Sequence, residues 1–167
     1  ESGDPQEMLS LAILNHILVG TAAAPLRKAL IDSGLGEDLA GGGLESELRQ
    51  PYFSIGLKGL EVGSDHAPAR GAEVGRLILD TLQPLAASGI DPKPVSASMN
   101  TIEFRLRENN TGGFPRGLLL MLRALANWLY DQDPFAPLGY EAPLNGIKER
   151  LVRGEPYFEN LIRTYLL

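Results

Sequence analysis

About seven segments of the chain have helical periodicity, but only one has a convincing strand pattern. That strand is Tyr52–Leu60, in which apolar and small or polar residues alternate. A weaker extended segment is interrupted by the triple glycine Gly41–Gly43. A lone hairpin is marginally stable and leaves unpaired edges. Either the helices cover it completely, or the rest of the sheet lies in sequence outside this chain, and we favour the second alternative.

The predicted fold class is therefore α+β and helix-rich, with helices packed on one face of a small antiparallel sheet. Asp4, Pro5 and Glu7 form a helix start with a capping aspartate and a proline in the first turn. Pro84 should kink or end the helix that contains it. The predicted helices run from Asp4 to Gly20, Pro25 to Ser33, Gly71 to Ser88, Asp91 to Glu108, Pro115 to Asp133, Leu144 to Val152 and Pro156 to Leu166.

The stretch Ser96–Phe135 predicts two amphipathic helices separated by the polar break Glu108–Gly113. We expect the apolar stripes of these helices to face each other, and Trp128 to be a core residue. The two facing sets would be Val95, Met99, Ile102 and Leu106 on one helix and Leu118, Leu122, Leu125 and Trp128 on the other.

Length, charge and composition exclude several classes of protein. The 167 residues suit a single domain, and with a net charge of −6 no Lys/Arg cluster is dense enough to bind nucleic acid. The acidic surface could attract cationic ligands or could serve solubility alone. The longest apolar runs, such as Leu118–Leu122, are too short for a membrane span. The chain starts at Glu1 rather than Met and shows no targeting peptide, so we expect it to be processed or cut from something longer.

No residue pattern in the chain indicates a catalytic, cofactor-binding or metal site. The absence of cysteine excludes a thiolate ligand or nucleophile. His16 lies between apolar neighbours, which is typical of a structural histidine bonded to a carbonyl or carboxylate, and His66 belongs to a proline-flanked loop. Neither histidine is part of an H-x-x-E-H or H-E-x-x-H motif. The glycines at Gly34–Gly36 and Gly41–Gly43 indicate turns or bulges rather than a phosphate loop.

The remaining polar groups also have ordinary interpretations. Glu45 and Glu47 suit the wet face of a strand, and Glu103–Glu108, with its two arginines, suits the solvated face of a helix. Asn109–Thr111 matches the glycosylation acceptor pattern, which carries little meaning without a secretory context. The predicted set of catalytic, cofactor and metal-ligating residues is therefore empty.

Four segments closely resemble the presequence proteases, the organellar members of the pitrilysin-type zinc peptidases (inverzincins), in their plant and algal form. The segments are LNHILVGTAAAPLRKALIDSGLG (Leu14–Gly36), QPYFSIGLKGL (Gln50–Leu60), SMNTIEFRLRENNTGGFPRGLLLML (Ser98–Leu122) and YDQDPFAPLGYEAPL (Tyr130–Leu144). The resemblance implies four related α+β domains in two halves around a chamber. It implies that residues 1–167 are a fragment of the second domain, in the N-terminal half, lacking the terminal strands of that domain.

In that family the zinc ligands and the general-base glutamate lie in the first domain, so the resemblance implies zinc in the parent and none in this chain. The implied function is that of a non-catalytic chamber wall in a zinc endopeptidase. Its substrates would be cleaved targeting peptides and other short unstructured peptides, in the chloroplast stroma or mitochondrial matrix. Implied partners are the other domains, with possible self-association through open sheet edges. The alternatives are a stand-alone scaffold or peptide-binding protein of the same fold and, more weakly, an independent enzyme with an unrecognised site.

Overall fold

A computed structural model of the chain describes residues 4–60, 67–108 and 113–167. His66 and Asn109–Thr111 lie outside the described residues. The described part contains two strands and seven α-helices, with one short 3-10 helix at Ala136–Leu138. In chain order the elements are α1 Pro5–Val19, α2 Pro25–Asp32, β1 Asp38–Glu45, β2 Tyr52–Lys58, α3 Ala67–Ser88, α4 Pro92–Glu108, α5 Arg116–Trp128, α6 Glu141–Val152 and α7 Tyr157–Tyr165.

Strands β1 and β2 form an antiparallel hairpin with an irregularity at the triple glycine. Asp38 pairs with Lys58 and Glu45 with Tyr52, and the register shifts between Ala40 and Gly43. Gly41 and Gly43 have φ angles of 89° and 78°, which side chains with a Cβ rarely adopt. The prediction that these glycines serve a bulge is confirmed.

Helix α1 is the centre of the core. The Asp4 carboxylate accepts a hydrogen bond from the Gln6 N–H at 2.9 Å, as the predicted cap requires. The helix contacts α2, α4, α6, α7 and β1, and Ile13 and Leu18 are fully buried. Ser10 is buried too, and its hydroxyl shares a hydrogen bond of 2.8 Å with the Tyr157 hydroxyl on α7. The first helix therefore joins the hairpin to the last two helices of the chain.

The predicted fold class is confirmed, since the described part is a helix-rich α+β structure with one small antiparallel sheet. Helices α1 and α2 contact β1, and α3 contacts β2. Leu57 is buried in the core, and Phe53 and Ile55, its neighbours on the same side of β2, are partly buried against it.

Two outcomes were predicted for Pro84, a kink or an early end of its helix, and the early end is wrong because α3 continues to Ser88. Proline removes one backbone donor, which leaves the carbonyl of Asp80 without its helical partner. Both residues are exposed, so water can satisfy that carbonyl.

No described helix is long and apolar enough to cross a membrane.

The predicted pairing of α4 with α5 is also wrong. Helix α4 packs on α1, and its Met99 is buried there. Among the described elements, α5 makes substantial contact only with the 3-10 helix that follows it, and none of its residues is buried. Trp128, predicted as a core residue, is 68% exposed. The physical reason is that α1 is apolar on several sides and packs against the apolar stripe of α4. The apolar stripe of α5 therefore has no helix to pack against among the described residues.

Candidate functional site

The imidazole of His16 is a buried structural group. Its Nδ1 lies 3.0 Å from the Ser98 hydroxyl on α4, so the two share a hydrogen bond between helices. Burial lowers the pKa of His16, and the positive charge of Arg105 lowers it further. The sequence predicted a structural histidine, and its burial confirms this, but the partner is a serine rather than a carbonyl or carboxylate. A neutral, buried ring that already holds a hydroxyl is poorly placed to bind a metal.

Glu103 joins two helices through charge. Its carboxylate accepts hydrogen bonds from Lys148 on α6 at 2.6 Å and from Arg107 at 2.7 Å. The hydrogen bond from Lys148 lowers the pKa of Glu103, which is therefore ionised at neutral pH. The prediction of a solvated helix face holds for Arg107 and Glu108, which are exposed, whereas Glu103 is only partly exposed and has a structural role.

The part of the chain that the structure describes contains no group of three or more His, Cys, Asp or Glu side chains that could hold a metal ion. Glu45 is partly buried and Glu47 exposed at the hairpin end, and no ion pair within the described ranges involves either of them. The residues that the structure describes therefore offer no ligand set for a zinc ion.

Asn15 is a structural residue that the sequence did not single out. Its side-chain oxygen accepts a hydrogen bond from the Leu44 N–H at 3.2 Å, next to the bulge. A Cβ on Gly43 would collide with that oxygen. A polar residue among the leucines of α1 was the available signal, but the sequence did not show which strand it would contact.

An apolar cavity of about 180 Å³ lies between α1, the hairpin and the end of α7. Asn15 is among its lining residues, and the other walls are mostly aliphatic or aromatic. No charged side chain lines the cavity, so its walls suit an apolar group and not a charged one. Its apolar walls include Leu11, Leu14, Leu44, Phe53 and Leu166.

The exposed side of α5 is the main surface feature. Six of the fifteen large apolar side chains that are exposed in the described part lie between Leu118 and Phe135. We call the α5 surface the set formed by Leu118, Met121, Leu122, Arg123, Trp128 and Leu129. A groove of about 470 Å³ runs beside it, with Met8 and Glu47 among its other lining residues. An apolar patch of this kind marks an interaction site more often than a chemical one.

The described residues thus form a helix-rich α+β structure whose notable surface is an uncovered helix. Its sequence is 50% identical to presequence protease 1, chloroplastic/mitochondrial, of Arabidopsis thaliana over 166 residues, which are 98% of this chain and 15% of that protein. It is 36% identical to Protein HypA of Clostridium perfringens, over 100% of this chain and 16% of that protein. It is 32% identical to a mitochondrial presequence protease of Emericella nidulans, over 98% of the chain and 15% of the relative.

No protein-family model matches the chain. The resemblance to presequence proteases is nevertheless confirmed, because the similarity extends over nearly the whole chain. The chain spans about 15% of the length of these relatives. Their names agree with the predicted chloroplast or mitochondrial location, and the Clostridium perfringens relative is bacterial.

Proposed function

We propose that this chain is one domain of a peptidase that degrades cleaved targeting peptides and other short unstructured peptides. The observation that carries the proposal is the 50% identity to a presequence protease over 98% of the chain. The same alignment covers only 15% of that relative, so a peptidase of this kind has most of its length elsewhere.

Within that peptidase, this domain has a structural role and forms part of the wall of a closed chamber. Two features support the role: the described residues contain no metal-binding cluster, and the polar groups of α4 and α6 are used in contacts between helices. Zinc, if the parent uses it, is bound by another domain. The net charge of −6 suits a wall that faces basic peptides, since targeting peptides are rich in Arg and poor in acids.

The proposed location is the chloroplast stroma or the mitochondrial matrix, as the names of the Arabidopsis thaliana and Emericella nidulans relatives suggest. The bacterial relative indicates that the fold itself does not require an organelle.

The test compares this 167-residue chain with the longer natural protein that contains it. Both are incubated with an unstructured basic peptide and, separately, with a folded protein similar in size to that peptide. The products are identified by mass spectrometry. We expect the longer protein to cleave only the peptide and to lose this activity in the presence of a chelator. We expect the chain alone neither to cleave the peptide nor to bind zinc in a one-to-one ratio.

Two results would contradict different parts of the proposal. Chelator-sensitive cleavage by the chain alone would overturn the non-catalytic role. Failure of the longer protein to cleave the peptide would overturn the peptidase assignment. A natural gene that encodes this chain alone would favour the stand-alone binding protein instead.

A further inference from the structure

Helix α5 is amphipathic, yet in this structure its apolar face has almost no partner. Helices of this length are marginal in water and are stabilised in proteins chiefly by packing of the apolar face. None of the 13 residues of α5 is buried, and Leu122 and Met121 are 45% and 52% exposed. The short 3-10 helix Ala136–Leu138 covers only a small part of it. The face therefore calls for a covering surface that the described residues do not supply.

The charges on α5 restrict what that surface can be. The helix carries two charged residues, Arg116 and Arg123, and no acid. Arg123 lines the groove beside Leu119 and Leu122 and has no ion-pair partner among the described residues. Glu47 also lines this groove, but it forms no ion pair among the described residues. A covering surface that places a carboxylate against Arg123 would gain a partly desolvated ion pair.

Two other occupants fit these charges less well. A basic targeting peptide would bring more positive charge to a helix whose own charges are both arginines. A second copy that packs α5 against α5 would bring the arginines of both helices together, and α5 itself supplies no carboxylate to pair with them.

A covering segment in the same polypeptide fits better. The relatives extend far beyond the region that matches this chain, which covers 15% of the Arabidopsis protein. A tethered surface also acts at a high effective concentration, so a modest apolar contact suffices to hold it.

We propose that the α5 surface is the contact between this chain and another part of the same longer polypeptide, which covers it with apolar side chains and sets a carboxylate against Arg123. The inference rests on the proposed function only in requiring that the chain be a domain of a longer protein. It gives α5 the task of fixing the position of this domain within that protein.

The absence of cysteine from the chain permits a direct test. Single cysteines are introduced by Leu122→Cys on α5 and by Val152→Cys on α6, where the native side chain is 88% exposed. Maleimide labelling at each site is followed by mass spectrometry in the 167-residue chain and in the longer natural protein. We expect Cys-specific labelling at position 122 to slow by at least about tenfold in the longer protein, and labelling at position 152 to stay unchanged.

A charge variant tests the predicted carboxylate. In the longer protein, Arg123→Glu should restore fast labelling at position 122, because it places like charges together. Arg76→Glu on α3 is the matched control, since Arg76 is also exposed and has no ion-pair partner among the described residues. If Leu122→Cys prevents cooperative unfolding, Met121→Cys replaces it as the probe.

Equally fast labelling of positions 121 or 122 in both proteins would overturn the proposal. Protection that depends on the concentration of the 167-residue chain would assign the face to a second copy, and protection that requires an added basic peptide would assign it to the substrate; either result also overturns it. The proposed function fails on a different readout, which is loss of peptide cleavage by the longer protein while position 122 remains protected.

Discussion

At the scale of single residues, His16 shows how a potentially reactive group is made structural. Its ring is buried against α4, where it shares a hydrogen bond with Ser98. The same ring leaves no room for a side chain at Gly20, the residue after α1, because a Cβ there would lie 2.6 Å from the imidazole Cδ2. The ring thus holds both the contact with α4 and the end of its own helix.

The lowered pKa of His16 predicts a loss of stability in mild acid. Because the pKa in the folded state is below the ordinary value of 6.5, the unfolded chain binds the proton more readily between those two values. The free energy of unfolding should therefore fall as the pH drops from about 6.5 towards the folded-state pKa, with no further change from this group below it. Urea unfolding at about pH 7.5 and about pH 5.5 measures the effect.

The matched variant is His16→Asn, which can still bond to Ser98 but does not titrate. We expect it to cost about 1–2 kcal/mol at neutral pH and to flatten the pH dependence. An equal loss of stability in acid for the variant and the natural chain would assign the effect to other groups.

The bulge in β1 predicts a large cost for a small substitution. Gly43→Ala should destabilise the chain by about 2 kcal/mol, because it forces a left-handed φ on alanine and disturbs the Asn15 side chain. The control is Gly56→Ala on β2, where an added Cβ meets nothing within 4 Å and the expected change is within about 0.5 kcal/mol. Chemical denaturation of both variants checks the prediction, and equal effects would contradict it.

At the scale of elements, the contact between α4 and α6 depends on one ion pair. Glu103→Gln should cost about 0.5–1 kcal/mol and should lose its effect in high salt, since Lys148 is partly exposed. The control is Asp32→Asn, which breaks the exposed pair with Lys28 within α2 and should cost about 0.3 kcal/mol or less. Thermal unfolding at low and high salt compares them. A larger effect of Asp32→Asn would contradict the structural role of Glu103.

The elements themselves could be predicted from local signals, but their partners could not. The cap at Asp4 and the alternation around Ile55 depend only on neighbouring residues, and both are observed. The positions of Trp128 and of the α5 stripe depend on which helix packs against α1. That choice is made by contacts between residues far apart in the sequence. An apolar period shows that a face will be covered, but it does not show by what.

The same distinction applies to function. The exclusion of a thiolate site followed from composition, and the resemblance to a known family followed from extended segment matches. The Arg123 side chain, which lines an apolar groove and has no ion-pair partner among the described residues, could not be recognised beforehand, because the sequence does not show which charges lie beside a helix in space.

At the scale of the whole molecule, the outer edges of the described hairpin have no strand partner. The described sheet has two strands, so each has one edge without a strand partner. Self-association of the isolated chain through these edges stays a prediction, which sedimentation at increasing concentration tests. Association should persist in Leu122→Asp, since α5 is not part of an edge contact. A strictly monomeric chain at high concentration would contradict it.

The central position of α1 has a consequence for synthesis on the ribosome. The first helix meets its last partners through Ser10 and Tyr157, and Tyr165 donates a hydrogen bond back to Glu7. Until α6 and α7 have emerged, α1 lacks part of its final cover, because it contacts both of these helices. Contacts between residues so far apart in sequence form slowly. Until α7 has been synthesised, the apolar faces of α1 stay open to contacts with other proteins, which makes this region of the nascent chain a natural client of chaperones.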